Sequence, residues 1–157
     1  MPEPSLTPTL ILLRLLLAAL LGGVLGYERQ QRGQPKALGV AGMLLVAVGS
    51  TAYMLLAQHE AAQDRSAPGR AIQSVLQGIG FLAGAVLFKG GTDVKGIKTA
   101  ATIWITSAIG LAVGTGFWWL GAIVGVTTLG ILYVTDLFPA GGRQGEDGTA
   151  GKERDES

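Results

Sequence analysis

The chain has 157 residues, 48% of them hydrophobic and only 15% charged, against about 25% charged in ordinary soluble domains. Its net charge is +1 and it holds one histidine and no cysteine, which excludes a disulfide scaffold, thiol catalysis and thiolate metal sites. No basic stripe is present to follow a phosphate backbone, so nucleic acid is not an expected partner.

Residues 1–9 carry one charge, Glu3, and an apolar run from Leu10 to Leu25 follows. A signal peptide needs a basic segment before its apolar run. Here the basic cluster, Arg29, Arg32 and Lys36, comes after it, so the run reads as a transmembrane helix over about Leu6–Tyr27. A helix crosses the hydrocarbon with about 20 residues at 1.5 Å rise. On that measure the second span is Ala37–Ala57 and the third Ala71–Phe88. The stretch Thr99–Phe138 would be roughly 60 Å as one helix, twice a bilayer. It must fold back, and the natural break is Gly114–Gly116, followed by the interfacial aromatics Phe117, Trp118 and Trp119. The expected fold is therefore all-α, a polytopic membrane protein of about five transmembrane helices. Residues 1–138 form the transmembrane domain. Residues 139–157, Gly-rich and charged, read as a disordered cytoplasmic tail.

Lys and Arg set the orientation. Nine lie in the first loop, the third loop and the tail (Arg29, Arg32, Lys36, Lys89, Lys95, Lys98, Arg143, Lys152, Arg154), and two, Arg65 and Arg70, in the second loop. Cytoplasmic loops carry the excess, which predicts the N-terminus outside and the C-terminus inside.

Helices in lipid associate through small residues that let backbones approach. The spacing recurs at Gly22 and Gly26, Gly80 and Gly84, Gly110 and Gly114, and Gly121 and Gly125, with Gly78 beside the second pair. Packing within the chain and contact with a second copy or another protein both remain open. Ionisable groups at depth are the default functional candidates. Arg14 lies eight residues into the first span and needs a partner on another helix, a carbonyl, or a path to the headgroups. Glu28 shares its face about 21 Å away, fourteen residues on. In the third span Gln73 and Gln77 share a face and could bond to a neighbour. In the fourth, Thr102, Thr106 and Ser107 can bond to their own helix carbonyls. Trp104 is deep enough to expect packing against another helix, and Asp136 is expected to be solvated. The lone His59 lies in an outer loop, and no nucleophile–base pair or metal-ligand spacing exists. No enzyme activity and no cofactor are expected.

Four stretches resemble the N-terminal membrane domain of the MgtC/SapB family: RLLLAALLGGVLGYER from Arg14, Arg32–Lys36 with the Gly-rich span after it, RAIQSVLQGIGFLAG from Arg70, and VKGIKTAATIW from Val94. The resemblance covers about residues 10–138 and maps the family pattern onto Arg14, Glu28, Arg29, Gly78, Gly80, Phe81, Gly84, Thr99 and Thr102. The chain departs from the pattern at Ala83-Gly84-Ala85 and at Lys98-Thr99. No ACT-like domain, such as many members carry at the C-terminus, is expected in residues 1–157. The resemblance implies a bacterial inner-membrane protein supporting adaptation to low magnesium by acting on other membrane proteins, such as the ATP synthase or transporters.

Three activities are weighed. A regulator would bind membrane proteins, or a second copy in a homo-oligomer, through small-residue faces. A Mg²⁺ or other ion transporter is the alternative. Mg²⁺ calls for oxygen ligands with one or two carboxylates, yet Glu28, Asp93 and Asp136 all lie at span ends, so the regulator is favoured. An anion carrier would use Arg14 as its binding charge.

Overall fold

The computed structural model describes residues 7–31, 39–90 and 94–137. Arg32, Lys36 and the tail over 139–157 lie outside them. Among the described residues the chain is helical except at its ends and turns: α1 (Pro8–Gln31), α2 (Val40–Glu60), α3 (Ala67–Gly90), α4 (Val94–Thr115) and α5 (Trp118–Leu137). The five expected spans are thus five helices. Four of them, with Ile97–Thr115 standing for α4, are long and apolar enough to cross a membrane. α3 has the length, at 24 residues, but Arg70, Gln73, Ser74 and Gln77 dilute its apolar character.

Local chemistry explains the boundaries. The Thr7 hydroxyl accepts from Leu10 N–H at 3.4 Å, and Pro8 takes the first helical position, where its missing N–H costs nothing. The α4–α5 break falls within the predicted glycines. Gly116 adopts φ 92°, a left-handed conformation that ends helices and that a side chain resists. The Phe117 carbonyl then accepts from Leu120 and Gly121 to start α5.

α4 is the centre of the bundle and touches all four other helices. Two thirds of its Ile97–Thr115 segment (67%) is buried within the chain, against 17% for α5. One core cluster joins α1, α2 and α4 through Ala18, Leu25, Ala47, Ile109 and Val113, with Val124 and Leu129 of α5 against it. A second joins α2, α3 and α4 through Met43, Ile79 and Ile103. Leu12, Leu16, Leu20, Leu45, Ile123 and Val126 face outward, as residues bathed in lipid should.

Two expectations are corrected. Trp104 is 47% exposed on the outer face of α4; hydrocarbon solvates its ring, so depth imposes no helix partner. Asp136 is not simply solvated. Its Oδ1 lies 2.7 Å from Lys98 Nζ, and the two side chains are only 19% and 28% exposed.

Candidate functional site: two polar junctions and an open helix face

Arg14 joins three helices at the end of the bundle that holds the α2–α3 turn and the α4–α5 break. Its Nη1 donates to Gln58 Oε1 of α2 at 3.1 Å and to the Gly114 carbonyl of α4 at 2.7 Å. That carbonyl belongs to the last turn of α4, where helix carbonyls lack intrahelical partners and a cation is favoured. Nη2 lies where a Cβ on Gly116 would come within 2.9 Å. Arg14 therefore ties α1 across the break. Gln58 carries no marker in the sequence that would single it out. Its role appears only once α1 and α2 pack antiparallel.

The opposite end carries the second junction. Arg29 is 2% exposed and donates through Nη2 to Thr99 Oγ1 of α4 at 3.3 Å. Arg29 and Thr99, separate candidates in the sequence, are thus brought together. Glu28, next to Arg29, is partly buried on the neighbouring flank of α1, and the Lys98–Asp136 pair ties α4 to α5 at this end. That pair spans 38 residues of sequence and leaves no local signature. Both arginines of α1 sit on its inward side, about 22 Å apart by helical rise.

Between the junctions the core is lined with hydroxyls that are already satisfied. Thr51 shares its one hydroxyl proton between the Ala47 carbonyl (2.9 Å) and the Gly110 carbonyl of α4 (2.8 Å). Thr102 donates to the Lys98 carbonyl, Thr106 to the Thr102 carbonyl and Ser107 to the Trp104 carbonyl, each at 2.7 or 2.8 Å. Among the described residues no group of three or more His, Cys, Asp or Glu side chains stands ready to hold a metal.

The glycines divide into two groups. A Cβ on Gly22 would meet Ala47 Cβ at 2.7 Å, one on Gly26 Val40 Cα at 2.7 Å, and one on Gly114 Met54 Cβ at 2.7 Å. A Cβ on Gly110 would collide with the Ala47 carbonyl oxygen. Gly121 is nearly as tight, 3.1 Å from Val113, and Gly125 makes ordinary contact with Ile109 at 3.7 Å. By contrast, nothing lies within 4 Å of a Cβ on Gly78, Gly80 or Gly84 of α3. At 100° per residue, Gln73, Gln77, Gly80 and Gly84 fall within a sector of about 60°. Gln73, Gln77 and Gly80 are exposed, and neither amide makes a hydrogen bond among the described residues. α3 thus carries a polar, small-residue face that nothing among the described residues covers.

The model of the MgtC family matches residues 15–139. YhiD of Escherichia coli K12, provisionally named a magnesium transporter, is 35% identical over 78% of this chain and 59% of its own length. SrpB of Synechococcus elongatus is 42% identical over 70% of this chain and 66% of its own. MgtC of Brucella abortus is 38% identical over 63% and 40% respectively. The chain therefore spans about two fifths to two thirds of the length of these relatives. No solved structure matches it. With the matched region running from the first span to the end of the fifth, the chain belongs to the MgtC family.

Proposed function

We propose that this chain is not an enzyme but a regulator in the bacterial inner membrane, supporting growth at low Mg²⁺ by binding other membrane proteins through α3. The observation that carries this reading is the open face of Gln73, Gln77, Gly80 and Gly84. Lipid offers an amide no hydrogen bond, whereas a partner helix offers both close backbone contact at the glycines and acceptors for the amides. The excess of Lys and Arg in the first and third loops supports an N-terminus outside and a C-terminus inside.

Mg²⁺ transport is the second reading, favoured by the name of YhiD. The electrostatics weigh against it. A cation entering between the helices meets a guanidinium near each end of α1, Arg14 and Arg29, and hydroxyls already committed to helix carbonyls.

A deletion strain grown at limiting Mg²⁺ tests the proposal. Wild-type chain restores growth and copurifies a membrane protein, while Gly80→Leu folds but does neither. Equal rescue by Gly80→Leu sinks the regulator reading. Mg²⁺ flux by purified chain in proteoliposomes would favour the transporter.

A further inference from the structure

α3 has a second unfilled flank, about a third of a turn or more round from the glutamine face. Ala71, Ser74, Gly78 and Leu82 point there, and with α2 they enclose a groove of about 730 Å³. Leu45, Leu56, Val75 and Ile79 supply apolar wall, and Gly49 and Gly78 leave depth. Glu60 and Arg70 stand together at the end next to the α2–α3 turn. Arg70 is held there by Asp64 and Ser66, with the rest of its donors available in a side chain 62% exposed.

The length of the groove suits a chain lying parallel to the helices. From Glu60 to Leu45 on α2, and from Ala67 to Leu82 on α3, the helical rise is about 22 Å. A single methylene chain, whose carbons come within about 4.0–4.5 Å of their neighbours, fits lengthwise between the two helices over that distance. The length also suits one leaflet, whose hydrocarbon is roughly 15 Å deep beneath its headgroup layer.

The charges at the mouth select the headgroup. The mouth holds one charge of each sign, Glu60 and Arg70, and so does not present a single one. A lone anion would meet the Glu60 carboxylate there. A headgroup bearing both a phosphate and an ammonium meets a partner for each.

We propose that the α2–α3 groove is a binding site for a zwitterionic phospholipid, of the phosphatidylethanolamine class. One acyl chain lies along Gly49, Val75, Gly78 and Leu82, the phosphate faces Arg70 and the ammonium faces Glu60. This site is separate from the glutamine face and does not depend on the regulatory reading.

The test uses the full chain in nanodiscs of equal phosphatidylethanolamine and phosphatidylglycerol, transferred to mild detergent and weighed by native mass spectrometry. The expected result is one retained phosphatidylethanolamine per chain. Ser74→Leu with Gly78→Leu fills the groove, where nothing lies within 4 Å of a Gly78 Cβ, and lowers retention at least fivefold. Glu60→Gln with Arg70→Gln abolishes the preference between the two lipids. Should the leucine pair fail to fold, Gly49→Leu on the facing wall, also in open space, carries the same expectation. Unchanged retention in a folded, filled variant overturns the proposal. So does equal retention of phosphatidylglycerol by the wild type, or a filled variant that loses a second protein chain instead of a lipid.

Discussion

α3 and α4 are neighbours of similar length, and both carry glycines at close-packing spacing, yet they use them in opposite ways. On α4, Gly110 and Gly114 lie so close to α2 that a methyl group would meet Ala47, Ser50 or Met54. On α3, the glycines face open space while the opposite side of the helix packs Ile79 against Met43 and Ile103. The same residue type is a packing device in one helix and an uncommitted surface in the next. Glycine spacing reveals that backbones can approach; burial decides whether this chain supplies the other backbone.

The contrast breaks most sharply on one substitution in each helix. Gly110→Leu forces a side chain into the α2 backbone, and overpacking of this kind costs about 3 kcal/mol or more. It is expected to abolish the folded peak in fluorescence-detected size-exclusion chromatography. A Cβ at Gly80 meets nothing within 4 Å among the described residues, and Gly80→Leu changes stability by about 1 kcal/mol at most, in the direction of the better helix former, so its thermal midpoint in detergent does not fall below that of the wild type. A folded Gly110→Leu, or an unfolded Gly80→Leu, would erase the distinction between the helices.

That distinction was out of reach of the sequence, and the reason is geometric. Five spans, the break near Gly116 and the alternation of charged loops follow from length, apolar runs and breakers, all local quantities. Thr102, Thr106 and Ser107 bonding to their own carbonyls is local too. Which helix faces which is set by contacts between residues far apart in sequence: Arg14 with Gly114, separated by 100 positions, Arg29 with Thr99 by 70, Lys98 with Asp136 by 38. Gln73 and Gln77 stood out as polar residues in an apolar span, but nothing local said that the chain would leave them uncovered. Trp104 misled because depth in a membrane is not the same as burial in protein.

Next in size is Arg14→Met, which keeps the apolar stem and removes the donors to Gln58 and Gly114. Hydrogen bonds from a charged group contribute about 1.5–3 kcal/mol, and the loss should fall on the α4–α5 break. Hydrogen exchange at residues 114–118 is expected to quicken while that of α3 is unchanged. Uniform acceleration across all five helices would mean that Arg14 supports the whole bundle and not this junction. Thr51→Val comes below it. It removes one shared hydroxyl between α2 and α4 at nearly constant volume, for about 1 kcal/mol, and the same change at exposed Thr127 should cost less than half as much.

The smallest effect tests how α3 is anchored where it leaves the packed part of the bundle. Just before its first turn, Asp64 accepts from the Ser66 hydroxyl and N–H and pairs with Arg70. The hydroxyl of Ser66, then its N–H, then Arg70 lower the carboxyl from the usual 3.8 to about 2. A carboxylate whose folded pKa is depressed contributes stability that is fully present above its unfolded value and lost as protons bind. The contribution should therefore hold above about pH 4 and fade between 3.8 and about 2. The Asp64 side chain is 45% exposed, so salt and water keep the effect small, and it should be confined to the turn. Hydrogen exchange at residues 66–70 is the suitable measurement. Protection there should fall over that pH window in the wild type and be flat in Asp64→Asn, while the Gly110 region of α4 stays unmoved in both. If α4 loosened together with the turn, α3 would be coupled to the core more tightly than its open faces imply, and the contrast between the two helices would have to be redrawn.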